Sequence, residues 1–425
     1  MKKQSLKNWS GITCVMGVDW GDSGKGRMID DLSARADIIA RYSGGSNTGH
    51  TVENQFGKFA FHIMPSGIFN QKAKCLIGRN VAVNLESLVK EINVLKLAGI
   101  SYKNLVIDEN ASLTMPWHIS RDMLREEMRS TKVGTTKNGV GPTYADRTER
   151  SGLLVKDLMD KSFEDKLKKE LQIQNKFFNL KLNPKKVVEE YKNYAKIIKP
   201  YVANTIQILN QAIRLKKNIL FEGAQGWLLD IDSGTYPYVT SSNPGVIGIF
   251  RSYNLHPSQI NNVIGITKAY TTRVGAGPMP TKIYTYEADH IVEKGHEYGT
   301  TTGRKRDPGW LDLVLLKEAC NVNKVTSLAI TKLDVLSGLK RIKLATTYTL
   351  KGKKIDFISL DALTLSQYKP QYLELDGWDE NISKIRDFNS LPKNAKNYIN
   401  TIKDITGVPI KFISVGPKRG EIIYV

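Results

Sequence analysis

Cysteine is scarce in this chain of 425 residues. Its three cysteines, Cys14, Cys75 and Cys320, lie far apart and are odd in number, so they fit neither a disulfide framework nor a zinc ribbon. We expect them to be buried, reduced thiols of a cytoplasmic protein. No apolar run reaches the roughly 18 residues of a membrane span, and none follows the basic start MKKQSLKNWSG. The sequence therefore predicts neither a membrane-spanning helix nor a signal peptide.

Acidic residues are also underrepresented, since 62 Lys and Arg face 42 Asp and Glu, which gives a net charge of +20. Such an excess suggests nucleic-acid binding as one class of function, because Lys and Arg neutralise phosphates. However, many of the lysines lie between Lys156 and Lys217, mixed with Glu and Asp at helical spacing. That pattern is typical of a solvated helical face. We therefore expect a basic cleft for small anionic substrates and no nucleic-acid partner.

Short apolar runs rich in β-branched residues recur along the chain, and each ends in a glycine-rich or polar loop. Continuous apolar strands alternating with helices predict an α/β fold with a large, mostly parallel central sheet flanked by helices, similar to P-loop NTPases. Ligands of such sheets bind at the carboxyl ends of the strands. The runs begin at Ile12, Asn218, Asn262, Thr326 and Pro409.

Two segments depart from this alternation. Residues 155–217 predict a mainly helical insertion, in which Ser162 opens a segment similar to a capping box. The segment KRIKLATTYTLKGKKIDFISL predicts a small hairpin region with its turn near Lys351-Gly352-Lys353. Internal repeats and Pro/Ser-rich linkers are absent from the sequence. We therefore expect residues 1–425 to form a single domain with a helical insertion at about 155–217.

The first candidate site is a glycine-rich loop between the first strand and a helix expected near Met28. Glycines let the backbone approach phosphates, and a helix N-terminus favours anions. It is not a Walker A motif, because Gly26 stands where Ser or Thr is required, and this argues against an ordinary GTPase or kinase. A carboxylate such as Asp22 is repelled by phosphates unless it holds a cation or accepts a proton. The alternative is a generic strand–turn–helix connection. The loop consists of Gly21, Asp22, Ser23, Gly24, Lys25, Gly26 and Arg27.

A second loop, SGGSNTGHT from Ser43, places His50 among small and polar residues. A histidine in such surroundings is a candidate acid or base, although a lone histidine is often structural. Two polar residues of later segments, Gln225 in FEGAQG and Thr240 in GTYPYVTSSN, could face a ligand.

Two loops near the C-terminal part of the chain suggest recognition of charged or polar ligands. The carboxylate of Asp334 in TKLD can accept two hydrogen bonds from guanine, a pair of donors that adenine lacks. An ordinary surface Lys/Asp pair is the alternative. The loop GTTTGRKR from Gly299 offers hydroxyls and cations suited to carboxylates and phosphates, unless it is only a solvated basic loop.

Taken in order, these segments closely resemble the adenylosuccinate synthetase family. The resemblance implies GTP-dependent ligation of L-aspartate to IMP through a 6-phosphoryl intermediate, with Mg²⁺ as cofactor, GTP as co-substrate and a cytoplasmic homodimer as the assembly. It extends from about residue 11 to the C-terminus. The segments are WGDSGKG from Trp20, GGSNTGHT from Gly44, FEGAQGWLLDIDSGTYPYVTSSN from Phe221, KAYTTRVGAGP from Lys268, TTGRKRDPGWLDLV from Thr301, TKLDVLSGL from Thr331 and ISVGPKR from Ile413.

The resemblance also implies roles for individual residues. Asp22 would be the base that takes the proton from N1 of IMP, and a magnesium ligand together with the carbonyl of Gly49. His50 would be the acid that steadies the 6-oxygen. Arg150 would reach the IMP phosphate of the partner subunit.

The remaining residues are implied as substrate contacts. For GTP they are Gly21, Asp22, Ser23, Gly24, Lys25, Gly26, Arg27, Gly49, His50, Thr51, Arg306, Lys332, Leu333, Asp334, Ser414, Val415 and Gly416. For IMP they are Asp22, Ser23, Gly24, Lys25, Asn47, Thr48, Gly49, His50, Thr136, Arg150, Gln225, Thr240 and Arg304. For L-aspartate they are Thr300, Thr301, Thr302, Gly303, Arg304, Lys305 and Arg306.

The chain departs from the usual family pattern at several positions of these motifs. The family usually has Glu where Ser23 stands, Lys where Arg27 stands, a neutral residue where Asp19 stands, and Gly-Arg where this chain has Lys137-Asn138. A viral branch of the family acts on dGMP and lacks the aspartate at the base position. Asp22 is retained here, which favours IMP, and dGMP is kept as the alternative substrate.

Overall fold

The computed structural model describes residues 9–273, 275–298, 305–418 and 420–425, and all structural statements concern these residues. In this part of the chain the strands β1 to β20 span, in order, Ile12–Gly17, Ile38–Arg41, His50–Asn54, Gly57–Phe61, Lys74–Ile77, Ala82–Val83, Leu105–Asp108, Ser112–Leu113, Val202–Ala203, Ile219–Gly226, Asn262–Lys268, Thr271–Arg273, Asp307–Gly309, Leu311–Asp312, Ser327–Thr331, Arg341–Leu350, Lys353–Lys354, Lys369–Asp376, Ile410–Ser414 and Ile422–Tyr424. The helices α1 to α12 span Lys25–Ser33, Leu85–Leu97, Pro116–Met128, Val140–Glu149, Phe163–Phe178, Pro184–Ile198, Thr205–Arg214, Ile247–Tyr253, Tyr286–Gly295, Leu313–Val322, Ala362–Leu365 and Lys393–Thr406.

A ten-stranded sheet runs through the described residues in the order β20-β19-β15-β11-β1-β10-β2-β5-β7-β9. All neighbouring strands are parallel except the edge pair β19–β20, which is antiparallel. Each of the five apolar runs of the sequence forms one of its strands, β1, β10, β11, β15 and β19. The predicted α/β fold with a mostly parallel central sheet is therefore confirmed.

The strand β1 shows why these runs are apolar throughout. All six of its residues are buried, because both faces of the sheet are covered. Cys14 and Met16 point into one apolar cluster, and Val15 points into the cluster on the opposite face. A parallel strand covered on both sides needs apolar residues at every position rather than at alternate ones. The three cysteines are buried free thiols, as expected.

Residues 155–217 fold mainly as helices α5, α6 and α7, and the two-residue strand β9 adds this stretch to the edge of the sheet beside β7. Leu167 and Leu171 of α5 are fully buried in the same cluster as Val15. Ser162 precedes α5, but its hydroxyl donates to the carboxylate of Asp160 rather than capping the helix. The sequence located the helix correctly and its capping interaction wrongly.

The hairpin predicted around residue 351 is present, since β16 and β17 are antiparallel and Lys351 and Gly352 have positive φ values of 51° and 79°. Its second strand is only two residues long. The main partner of β16 is instead β18, which pairs with it from Arg341 to Thr349. This pairing was not predicted, because β18 is mostly exposed and lacks an apolar pattern.

None of the helices in the described part of the chain is long and apolar enough to cross a membrane.

Candidate active site

Loops that follow β1, β2 and β10 line one cleft with a volume of about 1000 Å³. These three strands are neighbours in the sheet and run in the same direction, so their carboxyl ends meet at one edge. The cleft therefore brings together most residues of the glycine-rich loop, the loop with His50, and Gln225 with the segment that follows it. Its lining includes the predicted residues Gly21, Asp22, Ser23, Gly24, Lys25, Gly26, Asn47, Thr48, Gly49, His50, Thr51, Thr136, Gln225, Thr240 and Arg306.

The glycine-rich loop is held by a buried carboxylate that sequence reasoning did not place in the site. Asp19 Oδ1 accepts hydrogen bonds from the backbone N–H of Gly21 at 2.8 Å and from the Ser23 hydroxyl at 2.7 Å. Gly24 has a φ of 87° and ends the loop, and α1 begins at Lys25, three residues earlier than expected. The chain therefore places the Lys25 side chain at the first turn of the helix, where anions bind.

Lys25 is buried near two carboxylates. Burial lowers the pKa of Lys25, and the charges of Asp19 and Asp22 act in the opposite direction. Burial also raises the pKa of Asp19, while Lys25 and the Ser23 hydroxyl partly offset that rise. A buried lysine at the end of a phosphate loop can serve as a point charge for a phosphoryl group.

His50 is oriented by a buried carboxylate. Its Nδ1 lies 2.5 Å from Oε1 of Glu222, and the Ser66 hydroxyl and backbone N–H donate to the same carboxylate at 2.6 and 2.9 Å. Burial opposes the charge on Glu222, but the hydrogen bonds from His50 and Ser66 and the charge of Arg41 hold its pKa below the usual range. The ionised Glu222 thus accepts the proton on Nδ1 and fixes the ring orientation.

His50 lines the cleft, and its other ring nitrogen is left without a protein partner in the described part of the chain. His50 is 4% exposed, and Nε2 finds no hydrogen-bond partner among the described residues. Burial lowers the pKa of His50, against the effect of Glu222. A nitrogen without a protein partner at a cleft wall is available to a substrate atom. The arrangement supports the predicted acid–base function of His50 by adding the orienting group that such a function requires.

Asp22 lies opposite a buried arginine. Its carboxylate contacts the guanidinium of Arg306, whose Nη1 also donates to Glu297 at 2.6 Å. Asp22 has a φ of 57°, an uncommon value for a residue with a side chain, and this backbone turns its carboxylate into the cleft. About a third of the side chain is exposed, so a proton or a cation can reach it.

The polar residues expected to hold IMP form one connected group. Gln225 donates to Asn47 at 3.1 Å and to Thr48 at 2.8 Å, and Asn47 donates to Thr240 at 3.2 Å. Gln225 has a φ of 53°, and its Oε1 is buried without a partner among the residues described. An amide whose acceptor is unsatisfied at a cleft wall is suited to a donor on a ligand. Thr136 lines the same cleft from the opposite side.

The residues expected to hold guanine lie beside the cleft, at the carboxyl ends of β15 and β19. These two strands are neighbours, which explains how Asp334 and the Ser414-Val415-Gly416 turn come together. Arg27 joins them to the glycine-rich loop, since its Nη1 donates to the Ser414 hydroxyl at 2.7 Å and to the Gly416 carbonyl. Lys332, with a φ of 57°, and Leu333 complete this group.

Asp334 is a half-buried carboxylate with one oxygen that the described residues leave unsatisfied. Burial raises its pKa, and the charges of Lys332 and Arg27 act against that rise. Its Oδ1 has no hydrogen-bond partner in the part of the chain that the structure describes. A buried carboxylate oxygen left unsatisfied by the protein is costly unless a ligand supplies a donor.

The predicted aspartate loop is only partly described. Thr300, Thr301, Thr302, Gly303 and Arg304 lie outside the described residues, whereas Lys305 and Arg306 lie within them. Lys305 is exposed and pairs with Asp289 at 2.7 Å.

Arg150, at the C-terminal end of α4, is exposed and does not line the cleft of its own chain.

Three buried carboxylates to which the sequence analysis gave no role support the site: Asp19, Glu222 and Glu297. A signal exists for Glu222, which is a charged residue inside the apolar strand run NILFEGAQG. Asp19 follows an apolar run, and the sequence analysis noted it only as a departure from the family pattern. Glu222 and Glu297 act through contacts with residues far along the chain, which no local pattern reports.

Comparison with known proteins agrees with this geometry. A model of the adenylosuccinate synthetase family matches residues 14–423. The chain belongs to the adenylosuccinate synthetase family. The resemblance that its motifs indicated is thereby confirmed, as is its assignment to the ligase enzymes.

Relatives within this family match nearly the whole chain. The adenylosuccinate synthetase of Halothermothrix orenii is 46% identical over 420 residues, which cover 97% of this chain and 98% of the relative. That of Caldanaerobacter subterraneus is 45% identical over 421 residues, with the same coverage. The solved structure of a fully ligated adenylosuccinate synthetase from Plasmodium falciparum has 34% identity and a TM-score of 0.94, and the match covers 98% of this chain and 100% of that one.

A more distant structure shares the fold. The succinoaminodeoxyadenylate synthetase of cyanophage S-2L, bound to dGMP and dATP, has 16% identity and a TM-score of 0.65 over 98% of this chain and 95% of that one. At this identity the similarity shows the fold alone.

The contact between His50 and Glu222 generates a prediction. Glu222→Gln keeps the shape of the side chain but replaces an ionised acceptor with a neutral amide, so Nδ1 of His50 loses its charged partner. We expect kcat for adenylosuccinate formation to fall by about 10²-fold or more, within the usual contribution of acid–base groups. The KM values for GTP and L-aspartate should change by less than about threefold. A kcat near that of the wild type in the folded variant would show that Glu222 does not orient the imidazole.

Proposed function

We propose that the cleft lined by Asp22 and His50 carries out the reaction of this ligase family, in which L-aspartate is joined to IMP at the expense of GTP. The products are adenylosuccinate, GDP and phosphate. The observation that carries this proposal is the convergence of three features in one cleft: a partly exposed carboxylate, an imidazole oriented by Glu222, and Arg306. These groups come from separate segments of the chain and have complementary chemistry.

The chemistry of the substrate explains why an acid and a base are needed together. The 6-oxygen of IMP is a poor leaving group, and phosphorylation converts it into a good one. Asp22 takes the proton from N1 as the 6-oxygen attacks the γ-phosphate. His50, with protons on both ring nitrogens and its charge balanced by the ionised Glu222, donates a hydrogen bond from Nε2 to that oxygen. The aspartate amine then displaces the phosphate at C6. Lys25 and Arg306 stabilise the charge that develops on the transferred phosphoryl group.

Each substrate has its own set of residues in or beside the cleft. IMP is held by Asn47, Thr48, Gln225 and Thr240, with Thr136 on the opposite side, and Ser23, Gly24, Lys25 and Gly49 adjoin it. The phosphates of GTP bind along Gly21 to Arg27 and beside Gly49, His50, Thr51 and Arg306. Guanine occupies the neighbouring group of Lys332, Leu333, Asp334, Ser414, Val415 and Gly416. L-aspartate is held by the loop Thr300–Arg306, with Arg304 also at IMP.

Magnesium is the proposed cofactor, and the donors available fit it. Asp22 offers a carboxylate and Gly49 an exposed carbonyl at the same cleft, and Mg²⁺ is commonly held by one or two carboxylates together with substrate phosphates. When bound, the ion neutralises charge on the phosphates. Asp22 contacts Arg306 through Oδ2 in this structure, which leaves Oδ1 as the oxygen to offer a cation.

A homodimer with shared sites is proposed from the position of Arg150. This arginine terminates α4 with a φ of 72° and projects from the surface, whereas its helix neighbours Thr148 and Glu149 line the cleft. An exposed guanidinium beside the cleft can reach a phosphate in a neighbouring subunit and bind it with two hydrogen bonds.

We also propose that residues 1–425 act as a single domain with its helical insertion at about 155–217.

Turnover with defined substrates tests the activity. The wild-type protein should form adenylosuccinate, followed by absorbance, with IMP, GTP, L-aspartate and Mg²⁺, and should use neither dGMP for IMP nor ATP for GTP efficiently. In the same assay Asp22→Asn should lower kcat by about 10²–10⁴-fold, the usual contribution of a general base. Turnover of dGMP at a higher rate than IMP would support the alternative substrate, and an Asp22→Asn variant within a few-fold of wild type would refute the assignment of the base.

The unsatisfied Oδ1 of Asp334 leads to a test of nucleotide choice. Asp334→Asn replaces one acceptor by a donor, so it reverses half of the pattern that guanine presents. The KM for GTP should rise at least about tenfold, while XTP, which has an oxygen in place of the 2-amino group, should become a better substrate. Unchanged KM values for both nucleotides would show that Asp334 does not read the base.

The shared-site dimer can be tested by mixing two impaired variants at an IMP concentration well below the raised KM of the Arg150→Leu protein. Arg150→Leu should raise the KM for IMP at least about tenfold, as expected for the loss of a charge-assisted hydrogen bond, with less effect on GTP. A mixed dimer of Arg150→Leu and Asp22→Asn contains one site in which both residues are intact, so activity should return on mixing. If subunits are shown to exchange and activity stays absent, Arg150 does not act in the partner's site.

A further inference from the structure

Glu297 is a fully buried carboxylate that contacts four side chains from three separate segments of the chain. Its Oε1 accepts hydrogen bonds from Lys332 at 2.7 Å and Tyr270 at 2.6 Å, and its Oε2 accepts one from Arg306 at 2.6 Å. Lys268 lies 3.3 Å from both oxygens. One negative charge thus stands among three cations, which we call the Glu297 cluster: Lys268, Glu297, Arg306 and Lys332.

The members of this cluster belong to parts of the site that handle different substrates. Lys332 lies two residues before Asp334 in the proposed guanine segment, and its ammonium also donates to the Gly295 carbonyl at 2.8 Å. Arg306 ends the proposed aspartate loop and contacts Asp22. Lys268 ends β11 and donates to Thr272. A single carboxylate therefore joins the guanine segment to the aspartate loop and, through Arg306, to the proposed base.

The cluster depends on the charge of Glu297. Burial alone would raise the pKa of Glu297, but Lys268, Lys332 and the hydroxyl of Tyr270 hold it well below the usual range. Burial lowers the pKa of Lys268, while Glu297 acts in the opposite direction. Removing one member of a buried charge group leaves its partners uncompensated. Without Glu297, Lys268, Arg306 and Lys332 would repel one another in a poorly solvated region.

We propose that Glu297 is a positioning residue that couples the guanine segment to the aspartate loop by holding Lys332 and Arg306 on one carboxylate. It touches no substrate itself. The proposal rests on the substrate assignments proposed above for Lys332, Asp334 and Arg306. It implies that binding of GTP and binding of L-aspartate are linked through one buried group, with Asp22 responding because it contacts Arg306.

The test measures initial rates of the full-length protein while IMP, GTP and L-aspartate are varied in turn. Glu297→Gln removes the charge and keeps the shape. The KM values for GTP and L-aspartate should each rise at least about tenfold, the factor expected for one lost charge-assisted hydrogen bond. The KM for IMP should stay within about twofold, because Asn47, Gln225 and Thr240 bond to one another. Asp22 does contact the cluster through Arg306, but its proposed function as the base acts on kcat.

Two further variants separate positioning from folding. Glu297→Asp keeps the charge with a shorter reach, and should show the same pattern at smaller size. Glu91→Gln is the matched control, since Glu91 is another buried carboxylate that accepts hydrogen bonds from the backbone N–H groups of Ile63 and Met64 and does not line the cleft. Its three KM values should equal those of the wild type.

Several outcomes would overturn the proposal. They are unchanged KM values in a folded Glu297→Gln protein, a parallel rise of all three KM values, or a rise for only one of GTP and L-aspartate. If circular dichroism shows Glu297→Gln to be unfolded, the same criteria apply to Glu297→Asp, and unfolding of both variants shows a structural role instead.

A failure of the proposed function can be distinguished from a failure of the proposal for Glu297. If the wild type forms no adenylosuccinate, the substrate assignment fails, and the Kd of GDP measured by calorimetry then tests the cluster without turnover. A Kd for the Glu297→Gln protein within about twofold of the wild type would overturn the positioning role of Glu297 toward the guanine segment. A Kd raised at least about tenfold would support it.

Discussion

The common direction of nine neighbouring strands is the constraint on which the site depends. In a parallel sheet, every strand delivers its following loop to the same edge. The strands β1, β10 and β2 therefore place Asp22, Gln225 and His50 around one cleft, although these residues lie more than 170 positions apart at the extreme. The next strands on one side, β11, β15 and β19, place Lys268, Asp334 and Ser414 beside them. The cleft and the residues proposed to hold guanine thus lie side by side, because the strands that carry them are neighbours in the sheet.

Buried carboxylates hold the backbone and the functional side chains of these loops in position. Asp19 holds the backbone of the glycine-rich loop, Glu222 orients His50, and Glu297 collects Lys332 and Arg306. Glu222 and Glu297 accept hydrogen bonds from distant segments, and Asp19 accepts them from Gly21 and Ser23 of its own loop, which offsets the cost of burying a charge. The net positive charge of the chain is consistent with this design, since the site must neutralise nucleotide phosphates and its own buried carboxylates together.

Backbone conformation contributes as well. Asp22, Gln225 and Lys332 all have φ values between 53° and 57°, in the region that non-glycine residues rarely adopt. Such conformations persist where the surrounding contacts outweigh their cost, which is commonly at functional sites. Gln225 and Lys332 sit at the end of a strand, and Asp22 sits in the loop after β1. Part of the backbone strain of the described residues is therefore located at positions that the proposed function uses.

Much of this protein could be predicted from its sequence by local rules. The five apolar runs gave strands of the central sheet, because a strand covered on both faces must be apolar throughout, and the ordered motifs identified the family. The pairing of β16 with β18, the absence of a side-chain cap at Ser162 and the supporting roles of Asp19, Glu222 and Glu297 could not be predicted. The strand pairing, Glu222 and most contacts of Glu297 depend on partners distant in sequence. Ser162 and Asp19 instead bond to near neighbours, where several donors and acceptors compete and the residue types do not show which pair forms. The sequence by itself determined the fold class, the family and the chemistry of the loops, since these are written in residue types and spacing. Only the tertiary structure decided which carboxylate orients His50 and which one joins Lys332 to Arg306, because a buried charge takes its partners from whatever the packed chain brings within hydrogen-bonding distance.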